Sequence, residues 1–158
     1  MFMNAGDIVV KFGKDILESE DFLREKDFMQ HGKTNTYDHS VGVAKTAVWV
    51  ARVLRLRVDY DSLVRGCLLH DYYLYDWHHP SKEHRLHAFK HGKTAGKNAE
   101  KDFGLNFIER NMIRSHMFPL SSVVPIYKES FLVGLADKYC TVKEIFRRKP
   151  WLFRRNVI

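Results

Sequence analysis

Thiols are scarce in this 158-residue sequence: Cys67 and Cys140 stand far apart, each among apolar neighbours, and form no CxxC pair. A disulfide framework or a thiolate metal site needs more, so both read as reduced core cysteines. No run of about 18 apolar residues is present to span a bilayer. The opening stretch Met1 to Asp7 has neither the basic start nor the apolar centre of a secretory leader, so the expectation is a cytoplasmic protein without a membrane partner. Internal repeats, low-complexity tracts and interdomain linkers are also missing, and residues 1–158 read as one domain large enough to bury its own core. Acid is the minority sign. Nineteen Asp and Glu face 26 Lys and Arg, and the resulting net charge of +7 attracts anionic partners.

Histidine, by contrast, is plentiful, with nine residues. It is the commonest metal ligand and titrates near neutrality, so its placement carries information. Apolar spacing predicts helices from Asp7 to about Ser19 and from Asp21 to about Gln30, then a loop over His31 to Asn35 with Thr36 as cap of the next helix. Residues 37 to 56 carry the stripe Val41, Ala44, Val48, Ala51 and Leu54, with His39 in the first turn. Asp59 is placed to cap a helix through Leu63, Val64, Cys67 and Leu68 that runs into His70 and Asp71. Residues 72 to 90 lose the period and contain Pro80, which predicts a long loop of the kind that often forms a lid, with His78, His79 and His84 solvated.

A helix from about Lys93 to Phe103 is stopped by Gly104, and Asn106 with Glu109 forms the pattern of a capping box. The helix that follows places His116 on the same side as Ile108 and Met112. The last long helix, from about Tyr127 to Arg148, carries Asp137 at the end of the apolar run Phe131 to Ala136. A carboxylate there requires a partner, either Lys138 and nearby arginines or a cation. Six or seven helices without a convincing strand predict an all-α bundle.

His39, His70, Asp71, His91, His116 and Asp137 each lie at an end or on an inward face of a predicted helix. Four imidazoles and two carboxylates without a thiolate suit a borderline divalent transition metal, iron first, with manganese, nickel, cobalt or zinc also admissible. Six ligands exceed one tetrahedral site. Two cations bridged by one carboxylate would use them all, and the adjacent His70-Asp71 pair is the natural place for that bridge.

The order of these residues resembles the HD-domain superfamily of metal-dependent phosphohydrolases over residues 37 to about 146. The resemblance is carried by His39 in Tyr37-Asp38-His39-Ser40, by Leu68-Leu69-His70-Asp71 and by Leu135-Ala136-Asp137-Lys138. It implies one metal held by His39, His70, Asp71 and Asp137. His91 and His116 look like the extra ligands of the dinuclear branch, which implies a second metal on Asp71, His91 and His116. Among dinuclear members the chain is most similar to small bacterial enzymes that hydrolyse dinucleoside tetraphosphates symmetrically. Many members carry a phosphate-holding lysine three residues after the aspartate, where Leu74 stands here, and the Gly-Tyr-Pro signature of cyclic-dinucleotide hydrolases is absent.

The expected activity is hydrolysis of a phosphate ester or anhydride of a nucleotide or other small phosphorylated metabolite. Asp71, with His70 beside it, would position a hydroxide that bridges the metals. Lys93, Lys138 and His87 are candidate phosphate contacts, and His31 is a candidate to face the site. Two other readings stand beside this one: a di-iron oxygenase of the same superfamily, and a non-catalytic nucleotide-binding module. Nucleic-acid binding through the basic, aromatic tail around Arg147, Arg148, Lys149, Arg154 and Arg155 is disfavoured against docking of Trp151 and Phe153 on the body.

Overall fold

The computed structural model describes residues 3–31, 33–75 and 87–148. Residues 76–86 of the lid expected over 72 to 90, with His78, His79 and His84, and the tail from Lys149 onward lie outside the described residues. Seven α-helices account for most of the described chain, in the order α1 (Ala5–Leu17), α2 (Glu20–Leu23), a 3-10 turn (Arg24–Asp27), β1 (Met29–His31), β2 (Thr34–Asn35), α3 (Thr36–Val53), α4 (Tyr60–Leu69), α5 (His87–Phe103), α6 (Phe107–Ser115) and α7 (Lys128–Arg148). The all-α expectation holds.

Local chemistry sets most boundaries. Asn4 and Asn106 cap α1 and α6 in full capping boxes with Asp7 and Glu109. Asp59 caps α4, accepting from the Asp61 amide and the Ser62 hydroxyl. Gly104 takes φ +62°, and α5 stops there.

Three expectations need correction. The second helix is a single turn followed by a 3-10 turn, because Met29–His31 leaves the helix to pair antiparallel with Thr34–Asn35. The cap of α3 is Asn35, whose side chain accepts from the Asp38 amide, while Thr36 is already helical and its hydroxyl donates to the Phe28 carbonyl. Residues 72 to 90 are also not all loop. Tyr72 and Tyr73 are buried, Asn98 donates to both their carbonyls, and α5 begins at His87.

The core lies between α1, α3, α4, α6 and α7, where Val9, Ile16, Val43, Ala47, Leu63, Leu68, Met112, Val133 and Cys140 pack together. Both cysteines are buried and unbridged. Close approach of helices is built into the sequence. A Cβ on Gly66 would lie 2.5 Å from the Met112 sulfur, so a side chain there would require Met112 to move. Arg65 ties α4 to its neighbours through Asp15 of α1 at 2.6 Å and Glu109 of α6 at 3.1 Å. This framework brings the C-terminal ends of α4 and α6 to the first turn of α3 and the middle of α7. Among the described residues no helix is long and apolar enough to cross a membrane.

Candidate metal centre

His70 and His116 occupy equivalent places. Each is the C-cap of its helix, and each turns Nδ1 back to the carbonyl three residues earlier, Cys67 and Ile113, at 2.8 Å in both cases. A helix C-terminus leaves carbonyls unpaired, so the ring N–H has an acceptor at hand and its tautomer is set. Nε2 is thereby left as a lone pair directed into the protein. The negative end of each helix dipole points the same way, which favours a cation.

Asp71 stands between the two imidazole groups. Its Oδ1 faces His91 Nε2 at 3.3 Å and His116 Nε2 at 3.5 Å, while Oδ2 faces His70 Nε2 at 3.3 Å and His39 Nε2 at 3.9 Å. Asp137 closes the first group, with Oδ1 at 3.1 Å from His39 Nε2 and 3.8 Å from His70 Nε2. The His91 and His116 Nε2 atoms approach to 2.8 Å. All six side chains are buried.

Electrostatics follow from this crowding. Burial opposes the charge of Asp71, but the neighbouring imidazoles of His70, His116 and His91 hold its carboxyl well below the usual carboxylate range. Asp137 is likewise depressed against burial, by its hydrogen bond to His39 and by the imidazoles of His70 and His116 close by. His39 moves the other way: burial disfavours its cation, yet hydrogen bonds to Asp137 and Glu144 push it up to about 10.

The donor set fits metal ions. Within each of the groups His39-His70-Asp71, His70-His116-Asp137 and Asp71-His91-His116, the ligand atoms lie within 4.8 Å of one another. Ligands on one cation at bond lengths of about 2.1 Å lie roughly 3.0 to 3.4 Å apart, close to several of the separations above. Among the described residues, His70 Nε2 and Asp71 Oδ1 are buried polar atoms without a hydrogen bond of good geometry. Buried lone pairs aimed at one another are costly unless something positive sits among them.

Two supporting contacts were not visible in the sequence. Glu144 lies two turns beyond Asp137 on α7, with Oε2 at 3.0 Å from His39 Nδ1. That spacing of seven is the one signal available to a reader of the chain. Gln30 on β1 donates through Nε2 to Asp71 Oδ2 at 2.6 Å and accepts from the Tyr73 hydroxyl. Nothing in the sequence forecasts it, because a three-residue strand has no readable period. A further buried carboxyl, Glu25, makes no hydrogen bond among the described residues. Burial and the Asp71 charge outweigh the nearby Leu74 backbone and Thr36 and push it up to about 8.

The expected phosphate contacts are not gathered in the same way. Lys138 is exposed, and its ammonium donates to the carbonyls of His116 and Gly134 at 3.2 and 3.3 Å, at the rim of the centre. Lys93 is exposed in a furrow with Arg114, outside the ligand cluster. His31 ends β1 and His87 begins α5, and their side chains lie outside the described residues.

No curated protein and no solved structure matches the chain. The family model described as HD domain matches residues 36–141, a span that opens at the start of α3, ends within α7 and takes in all six clustered side chains. On that match the chain belongs to the HD-domain superfamily of metal-dependent phosphohydrolases.

Proposed function

We propose that this protein hydrolyses a phosphate ester or anhydride of a nucleotide or another small phosphorylated metabolite, using two divalent transition metals. The observation that carries the reading is the division of Asp71, whose two carboxylate oxygens face different pairs of histidines. His39, His70, Asp71 and Asp137 would hold one cation, and Asp71, His91 and His116 the other. Bound there, such cations lower the pKa of water from about 16 toward 7 and neutralise phosphoryl oxygens.

The chain's own residues prepare this chemistry. Asp71 stays ionised at neutral pH, held so by the histidines around it, and would position the hydroxide. Gln30 and Tyr73 hold its carboxylate in one orientation, so little reorganisation is needed as charge develops. Glu144 fixes the His39 ring, and two helix-end carbonyls fix His70 and His116. Lys138 adds positive charge at the rim, and the net charge of +7 draws phosphorylated substrates inward.

The test is elemental analysis of protein purified without added metal or chelator, followed by a phosphate-release screen over nucleotides and dinucleoside polyphosphates under nitrogen. Two transition-metal ions per chain, iron first among them, with release from one substrate class is the expected result. Turnover that requires dioxygen, together with a redox-active iron pair and no phosphate release, would overturn the hydrolase reading.

A further inference from the structure

We infer that the outer face of α5 and α6 is a second anion site, separate from the histidine centre and suited to a ligand carrying linked phosphates. The two helices are joined through residues 104–106, and two adjoining hollows that share Lys93 and Arg114 form a furrow along them. One hollow of about 100 Å³ contains Lys93, Arg114 and Ser121. Its neighbour, of about 350 Å³, contains Lys93, Lys97, Arg110, Arg114 and Glu100. Lys93 and Arg114 belong to both, so the hollows share a wall of cations.

Spacing on the helices makes this wall a ladder. Lys93 and Lys97 are one turn apart on α5, as are Arg110 and Arg114 on α6, which sets two basic rungs about 5–6 Å from each other. Only Arg110 is neutralised, by Glu100 at 2.8 Å; no ion pair among the described residues involves Lys93, Lys97 or Arg114. The helices are pressed together behind them. A Cβ on Gly92 would lie 2.9 Å from the Ile113 carbonyl, whereas one on Gly96 would make an ordinary contact with Arg114 Cγ. Cations crowded by close helix packing repel one another, and an anion with charge on two successive groups relieves both rungs at once. A single phosphate reaches one rung; a diphosphate or triphosphate chain reaches both.

The furrow backs the metal centre, and none of the six clustered side chains lines either hollow. Residues two apart on a helix point about 200° apart, so Lys93 faces away from His91 and Arg114 away from His116. Gly92 lies between, with its Cβ position 3.5 Å from His116 Cε1. A ligand in the furrow therefore touches the outside of the two helices that supply His91 and His116.

The experiment is calorimetric titration of inorganic triphosphate into protein stripped of metal and dialysed free of chelator, at low salt. Because neither metal nor turnover is involved, the outcome is independent of the hydrolase reading. Wild type and Asp71→Asn are expected to bind alike, while Lys97→Gln and Arg114→Gln each weaken binding roughly tenfold, and orthophosphate binds roughly tenfold more weakly than triphosphate. Both substitutions are on exposed side chains, and thermal melts check that the variants remain folded. Absence of wild-type binding, equal binding by the furrow variants, or a roughly tenfold change of binding in Asp71→Asn in either direction would each overturn the proposal. Tighter binding of a random oligonucleotide than of triphosphate would overturn the assignment to a small ligand.

Discussion

The Nδ1 of His39 meets the Glu144 carboxylate at 3.0 Å while Nε2 of the same ring meets Asp137 at 3.1 Å. One imidazole is thus held from behind by a carboxylate that does not belong to the ligand cluster. Glu144→Gln is expected to leave the fold intact and weaken the cation held by His39, His70, Asp71 and Asp137 by about 10- to 100-fold. Competition with a chromophoric chelator measures it. Unchanged affinity would show that Glu144 merely fills space.

Asp71 and His116 differ in what they share. Asp71→Ala is expected to abolish binding of both metals and all phosphate release, whereas His116→Ala weakens mainly one of the two. Elemental analysis of the two purified variants distinguishes them. Full metal content in the Asp71 variant would rule out a bridging role.

Charge at His39 links metal binding to pH. Its folded pKa, about 10, lies above the ordinary value of 6.5, so in metal-free protein the imidazolium contributes stability that is fully present below about pH 6.5 and lost as pH rises toward 10. Metal must displace that proton. Titrations in buffers of different ionisation enthalpy should show proton release on binding, and affinity should rise with pH across this window. Binding without proton release would contradict the assignment.

Glu25 predicts the opposite remedy. A carboxyl pushed up to about 8 binds a proton in the folded state that the unfolded state releases near 4.5, so stability falls as pH rises from about 4.5 to 8. Glu25→Gln should remove that slope and raise the melting temperature at pH 8 in metal-free protein. A lower melting temperature at pH 8 would mean that Glu25 is ionised and paired.

Gln30 links Tyr73 to Asp71 through its two amide atoms. Gln30→Leu leaves a buried hydroxyl and a buried carboxylate oxygen without this partner and should cost about 1–3 kcal/mol per lost contact. Urea denaturation of metal-free protein measures it, and an unchanged midpoint would exclude the role.

What the chain determined alone was local or covalently adjacent. Caps at Asn106 and Asp59, the stop at Gly104, the apolar stripes of α3 and α4, and the order of His39, His70-Asp71 and Asp137 are all legible, because each depends on residues within a turn or two. Apolar spacing near 21–30 misled, since the same residues serve one helical turn and then a strand whose partner appears only when Thr34–Asn35 folds back. Tertiary structure alone decided that Asp71 divides its oxygens between two histidine pairs, that Gln30 reaches it across 41 residues, and that Glu144 backs His39 across 105. It also placed Lys93 on the outer face of α5, two residues and about 200° from His91. Sequence spacing sets direction around one helix axis, but which direction meets a ligand depends on how the helices pack, and that packing is a property of the whole core.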